Sequence, residues 1–88
     1  MTTSTTLQVT VRFFAAARSA AGSQAETLRV QSGTTLADLV DQLSGRGDEL
    51  ARVLRRCSFL CDGIAVRDVG LELNPEQTID VLPPFAGG

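Results

Sequence analysis

The 88-residue chain contains no histidine, lysine, tyrosine or tryptophan, and each gap removes a class of chemistry. Without histidine there is no imidazole to ligate a metal, serve in a catalytic triad or titrate near neutral pH. Without lysine there is no amine for a Schiff base and no P-loop. Positive charge is scarce as well. Eight arginines face ten acids for a net charge of −2, which argues against nucleic acid as a partner. No apolar run is long enough to span a bilayer, and the opening MTTSTT lacks the charged and hydrophobic regions of a signal peptide. The reading is a flexible polar leader over residues 1–6 on a cytoplasmic protein without a membrane partner. With no internal repeat, the remainder forms one small domain that buries only about 60–65% of its unfolded surface.

What is present alternates in a compact order. Leu7, Val9, Val11 and Phe13 share one face and Gln8, Thr10 and Arg12 the other, which predicts a half-buried first strand. Residues 15–23 are small and end in Gly22-Ser23, as a loop or short helical turn would, before a second strand over 26–30. Thr35 offers an N-cap with Asp38 three residues on, and Leu36, Leu39, Val40 and Leu43 follow at helical spacing to a stop near Gly45. Asp48 is placed to cap a second, shorter helix lined by Leu50, Val53 and Leu54. An extended segment over 58–61, an Asp62-Gly63 hairpin turn into 64–66, turn chemistry at Asn74-Pro75-Glu76-Gln77 and a strand over 78–82 complete the order. This ββαββ pattern predicts an α+β domain over 7–82, a mixed sheet on one main helix with a second short helix. The ubiquitin-like β-grasp fits it, as do ferredoxin-like and other small α+β folds.

The sequence closes on Pro83-Pro84-Phe85-Ala86-Gly87-Gly88. Two prolines block helix and sheet continuation, so residues 83–88 should leave the body extended, reaching roughly 18 Å in polyproline-like geometry. Two side-chain-free positions at the end would let the backbone thread a narrow slot and present the Gly88 carboxyl carbon to another enzyme's reagent.

Val11-Arg12-Phe13-Phe14-Ala15, Ala17-Arg18, Ala21-Gly22 and this closing hexapeptide resemble the ubiquitin-like sulfur carriers, above all the small, sulfur-carrying subunit of molybdopterin synthase. Phe85 departs from the family, which usually carries a smaller residue there. The resemblance implies a carrier without catalysis of its own and without a bound cofactor. A ubiquitin-activating-type enzyme would adenylate the Gly88 carboxylate with ATP, sulfur would replace the AMP, and the thiocarboxylate would serve molybdenum cofactor synthesis. Residues Pro83, Pro84, Phe85, Ala86 and Gly87 would occupy a pocket on the large subunit, which supplies the lysines and the pterin contacts. Alternatives are a carrier serving thiamin, cysteine or a specialised metabolite, and a ubiquitin-like modifier or noncovalent interaction domain. The length and the segment 48–56 favour molybdopterin over thiamin, and the missing lysine forbids chains of this protein on its own amines.

Strand parity predicts a partner surface. With Val9, Val11 and Phe13 facing inward, Phe14 faces outward; Leu82 lies opposite Ile79 and Val81, and Leu60 between inward Phe59 and Cys61. These three apolar side chains form a candidate docking patch. If Cys57 and Cys61 both lie on one strand, their Cα atoms are about 13 Å apart, beyond disulfide reach, and without histidine no metal site is expected. Buried structural thiols are the reading, with a persulfide relay as the alternative. Arg52, Arg55 and Arg56 read as a solvated helix stripe, and Asp38 and Asp41 as the polar face of the main helix.

Overall fold

The computed structural model describes residues 5–84, so expectations for residues 1–4 and 85–88 lie outside it. Alternation sets the frame. In β1 (Thr6–Phe13) Leu7, Val9, Val11 and Phe13 are buried, while Gln8 and Arg12 are exposed. It pairs antiparallel with β2 (Ala25–Gln31) and parallel with β5 (Thr78–Leu82). Strand β3 (Ser58–Cys61) runs antiparallel to β5 and carries β4 (Ile64–Ala65) on its outer edge. The mixed sheet therefore reads β2-β1-β5-β3-β4, with the first and last strands adjacent at its centre, a ubiquitin-like β-grasp.

The main helix is α2 (Leu36–Ser44), and its start is the reciprocal cap the sequence predicts. The Asp38 amide donates to Thr35 Oγ1 at 3.1 Å, and the Thr35 amide donates to Asp38 Oδ2 at 3.1 Å. Its other free amides are met by the loop over 66–73, where Leu71 and Val69 carbonyls accept from Leu36 and Ala37. Leu36, Leu39 and Leu43 then join Val9, Val11, Phe13, Ile79 and Val81 in a single core.

Two local expectations change. The segment after β1 is a full helix, α1 (Ala15–Ala21), whose Ala17 is completely buried. Alanine has the highest helix propensity and is small enough to let α1 lie close against α3 (Asp48–Leu54). Gly22 ends α1 at φ +78°, the left-handed conformation glycine supplies without strain. Helix α3 begins one residue earlier than its acid suggests. Gly47 is the N-cap and Asp48 the first helical residue, so Asp48 acts on the helix dipole and caps no amide. Leu50 and Leu54 are buried as expected, and Val53 packs at the core edge.

The Asp62-Gly63 turn forms with φ values of +51° and +84°. It is clipped to β5, because the Thr78 amide donates to Asp62 Oδ1 at 3.0 Å and the Asp62 amide to the Thr78 carbonyl at 2.8 Å. Past it, β4 is only two residues long, and Ile64 is 73% exposed.

Candidate functional site

Parallel pairing of β1 and β5 brings the ends of both strands to one edge of the sheet. There the Phe14 amide donates to the Val81 carbonyl at 3.2 Å, one step beyond the Phe13–Val81 register. Phe14 therefore stands next to the point where β5 gives way to Pro83 and Pro84. The turn is held by Ala15 at φ +50°, a left-handed value that costs a non-glycine residue about 1–2 kcal/mol. Phe14 is 38% exposed, while its neighbour Phe13 lies in the core.

The other two patch residues also lie on the outer face. Leu60 pairs with Asp80 and Leu82 with Ser58, whereas Phe59 and Cys61 pair with core residues Val81 and Ile79. Leu60 and Leu82 are both half-buried. The Gly88 carboxylate, Gly87, Ala86 and Phe85 lie outside the described residues; Pro83 is half-buried and Pro84 exposed.

Between these apolar side chains sits an ion pair that sequence analysis missed. Arg12 Nε and Nη2 donate to the two Asp80 carboxylate oxygens at 2.6 and 2.8 Å, a bidentate fork. The Arg12 side chain is 51% exposed and that of Asp80 only 7%. The paired carboxylate raises the Arg12 pKa further above its ordinary value, mainly through the hydrogen bond. The Arg12 guanidinium also lies 5.5 Å from the Phe14 ring centroid, which joins the charged and apolar parts of the surface. A signal was available. Asp80 interrupts the apolar run Ile79-Asp80-Val81 just as Arg12 interrupts Val11-Arg12-Phe13, and an acid within a central strand needs a cation beside it.

The thiols are placed for packing. Cys57 lies between α3 and β3, so the one-strand premise does not hold for it, and its Sγ donates to the Val53 carbonyl at 3.2 Å. Cys61 is buried at the end of β3. Burial raises both thiol pKa values, and the carboxylates of Asp62 and Asp80 raise that of Cys61 further, so both sulfurs stay protonated and weakly nucleophilic at neutral pH. Arg52, Arg55 and Arg56 are exposed along the end of α3, and Asp38 is occupied by the α2 cap. Among the described residues, no group of three or more His, Cys, Asp or Glu side chains is arranged to hold a metal ion, and no helix is long and apolar enough to cross a membrane.

Phe14 and the Arg12–Asp80 pair thus lie together where the central strands β1 and β5 finish, next to Pro83 and Pro84. In sequence and fold the chain is similar to known proteins. The chain is 29% identical over 83 residues to the molybdopterin synthase sulfur carrier subunit of Chlamydomonas reinhardtii, a match that covers 93% of this chain and all of that protein. The solution structure of the Haloferax volcanii HVO 2177 protein superposes with a TM-score of 0.82 at 29% identity, covering 94% of this chain and 88% of that one. A chain from the complex of subunits 1 and 2 of the Helicobacter pylori molybdopterin-converting factor gives a TM-score of 0.65 at 22% identity, covering 93% and 100%. The ThiS family model matches residues 11–88, nearly the whole domain with its terminal glycines, and the chain belongs to the ThiS family.

Proposed function

We propose that this chain is a sulfur carrier that works through a thiocarboxylate on Gly88 and donates sulfur to a pterin precursor as the small subunit of a molybdopterin synthase. The observation that carries the reading is the family match through Gly88, together with the similarity to a sulfur carrier subunit over nearly the full length of both chains. The chemistry follows from the carboxylate. As it stands it is a poor electrophile; attack of its oxygen on the α-phosphorus of ATP in an adenylating partner releases pyrophosphate and leaves an acyl-adenylate. A sulfide-equivalent nucleophile then forms the carbon–sulfur bond while the bond to AMP breaks. The product sulfur is anionic at neutral pH and needs no base from this chain, which suits a surface whose thiols are held protonated.

Phe14, Leu60 and Leu82 would seat the large subunit, and residues 83–88 would then reach its pocket, with Pro83 and Pro84 keeping the tail straight. The large subunit is assigned the reaction centre, and the adenylating enzyme the ATP. The test is intact-mass analysis after incubation with an activating enzyme of the ubiquitin-activating type, ATP and a sulfur donor. One oxygen-to-sulfur exchange on Gly88 is expected, retained in a Cys57→Ser/Cys61→Ser double variant and lost on deletion of Gly88 or addition of a residue after it. Sulfur on a cysteine would replace this mechanism with a relay. Attachment of the Gly88 carboxyl to lysines of other proteins would make the chain a modifier.

A further inference from the structure

The patch has a charged neighbour that the carrier chemistry does not use. Beside Phe14, between the end of β1, the start of β2 and helix α1, is a pocket of about 220 Å³ bordered by Arg12, Phe14, Arg18, Gln24 and Ala25. Its two guanidinium groups differ in their partners. Arg12 commits Nε and Nη2 to Asp80, so that charge is neutralised. Arg18, exposed on α1, has no acidic partner among the described residues. The pocket therefore carries about one unit of positive charge on a chain whose net charge is −2, and Phe14 forms part of its wall.

We propose that this pocket receives the carboxylate of an Asp or Glu side chain of the large subunit, fixing its register on the Phe14 edge; the inference rests on the carrier reading above. A partner that covers Phe14 and closes over this pocket also strips water from Arg18, which lines it. An arginine desolvated without a counter-charge opposes binding, so a stable complex has to bring an acid there. The planar fork of arginine matches a carboxylate in two parallel hydrogen bonds, which sets orientation as well as attraction. Phe14 supplies area and Arg18 supplies alignment, and only an aligned subunit can take the tail squarely into its pocket.

The experiment is calorimetric titration of the large subunit with the full chain, at low and high salt, for wild type, Arg18→Lys, Arg18→Gln, Arg18→Glu and Phe14→Asp. Arg18→Gln should weaken binding about tenfold with a flatter salt dependence, Arg18→Glu more, and Arg18→Lys less than Arg18→Gln. An acid-to-arginine change on the large subunit, found by scanning its surface acids, should restore the Arg18→Glu variant. If Arg18→Gln and Arg18→Glu bind within about twofold of wild type while Phe14→Asp does not, the carboxylate contact is wrong and the carrier reading stands. If wild type forms no complex with the large subunit, both fall. Arg18 is solvent-exposed, so thermal melts of its variants should overlay that of the wild type.

Discussion

The two faces of the sheet come from the same strands, one residue apart, yet they obey different rules. On the inner face Val9, Val11, Phe13, Ile79 and Val81 are all at most 1% exposed and pack on Leu36, Leu39 and Leu43 of α2. On the outer face a single row across the sheet runs Ala25, Arg12, Asp80, Leu60 and Ala65, mixing small, charged and apolar side chains. The inner face meets fixed partners, chiefly α2 with Ala17 of α1 and Leu50 and Leu54 of α3, and is selected for volume. The outer face meets water in the free chain and, in the proposed complex, another protein. Stability and recognition can therefore be changed separately, except at Asp80, an outer-face residue as buried as the core.

The largest effect tests the inner face. Leu39→Ala should cost roughly 2–5 kcal/mol in urea denaturation, because Leu39 is completely buried and α2 is tied at its start to the loop over 66–73, which limits its collapse into the cavity. On the outer face, Phe14→Asp should leave the urea midpoint nearly unchanged and weaken large-subunit binding by more than tenfold, since a carboxylate would be buried against an apolar contact. Equal losses of stability and affinity in Phe14→Asp would show that the separation of faces does not extend to this edge.

The Arg12–Asp80 pair sharpens the comparison through an asymmetry. Arg12→Gln leaves a buried carboxylate facing a neutral amide, whereas Asp80→Asn leaves a half-exposed guanidinium that water can solvate. Arg12→Gln should thus lower the melting temperature more than Asp80→Asn does. The reverse order would mean that Asp80 is held mainly by its neighbours in the sheet and not by the arginine.

Much of the inner face was legible because alternation and helical spacing state burial directly. Leu7 to Phe13 on one parity, the Thr35–Asp38 cap and the Asp62-Gly63 turn each follow from local chemistry. Helix α1 was only half legible: Gly22 marks its end, but an alanine-rich stretch has helical propensity and little hydrophobic pattern, and nothing local shows that it packs on α3. The start of α3 was misread at Asp48 because Gly47, which carries no capping side chain, takes the position. On the outer face, parity placed Phe14, Leu60 and Leu82. It marked Asp80 as an acid that needs a cation, but not Arg12 as the one that supplies it, because that contact depends on parallel register between residues 68 positions apart.

The smallest effect concerns the rim of the sheet. Glu26 on β2 accepts from Arg46, in the α2–α3 linker, at 2.9 Å and from the Ser23 hydroxyl, and these hydrogen bonds hold its pKa below the ordinary value of 4.5. A carboxylate with a depressed folded pKa contributes stability that is present above the unfolded value and is lost as pH falls through the folded one. The pair is partly exposed and therefore screened, so its contribution at pH 7 should be about 0.5 kcal/mol. Glu26→Gln should accordingly be less stable than wild type by that amount at neutral pH, and the two urea curves should converge at a pH well below 4.5, where the wild-type carboxyl has taken up its proton. A gap that persists unchanged into acid would mean that the side chain acts by packing β2 against the linker and that its charge contributes nothing.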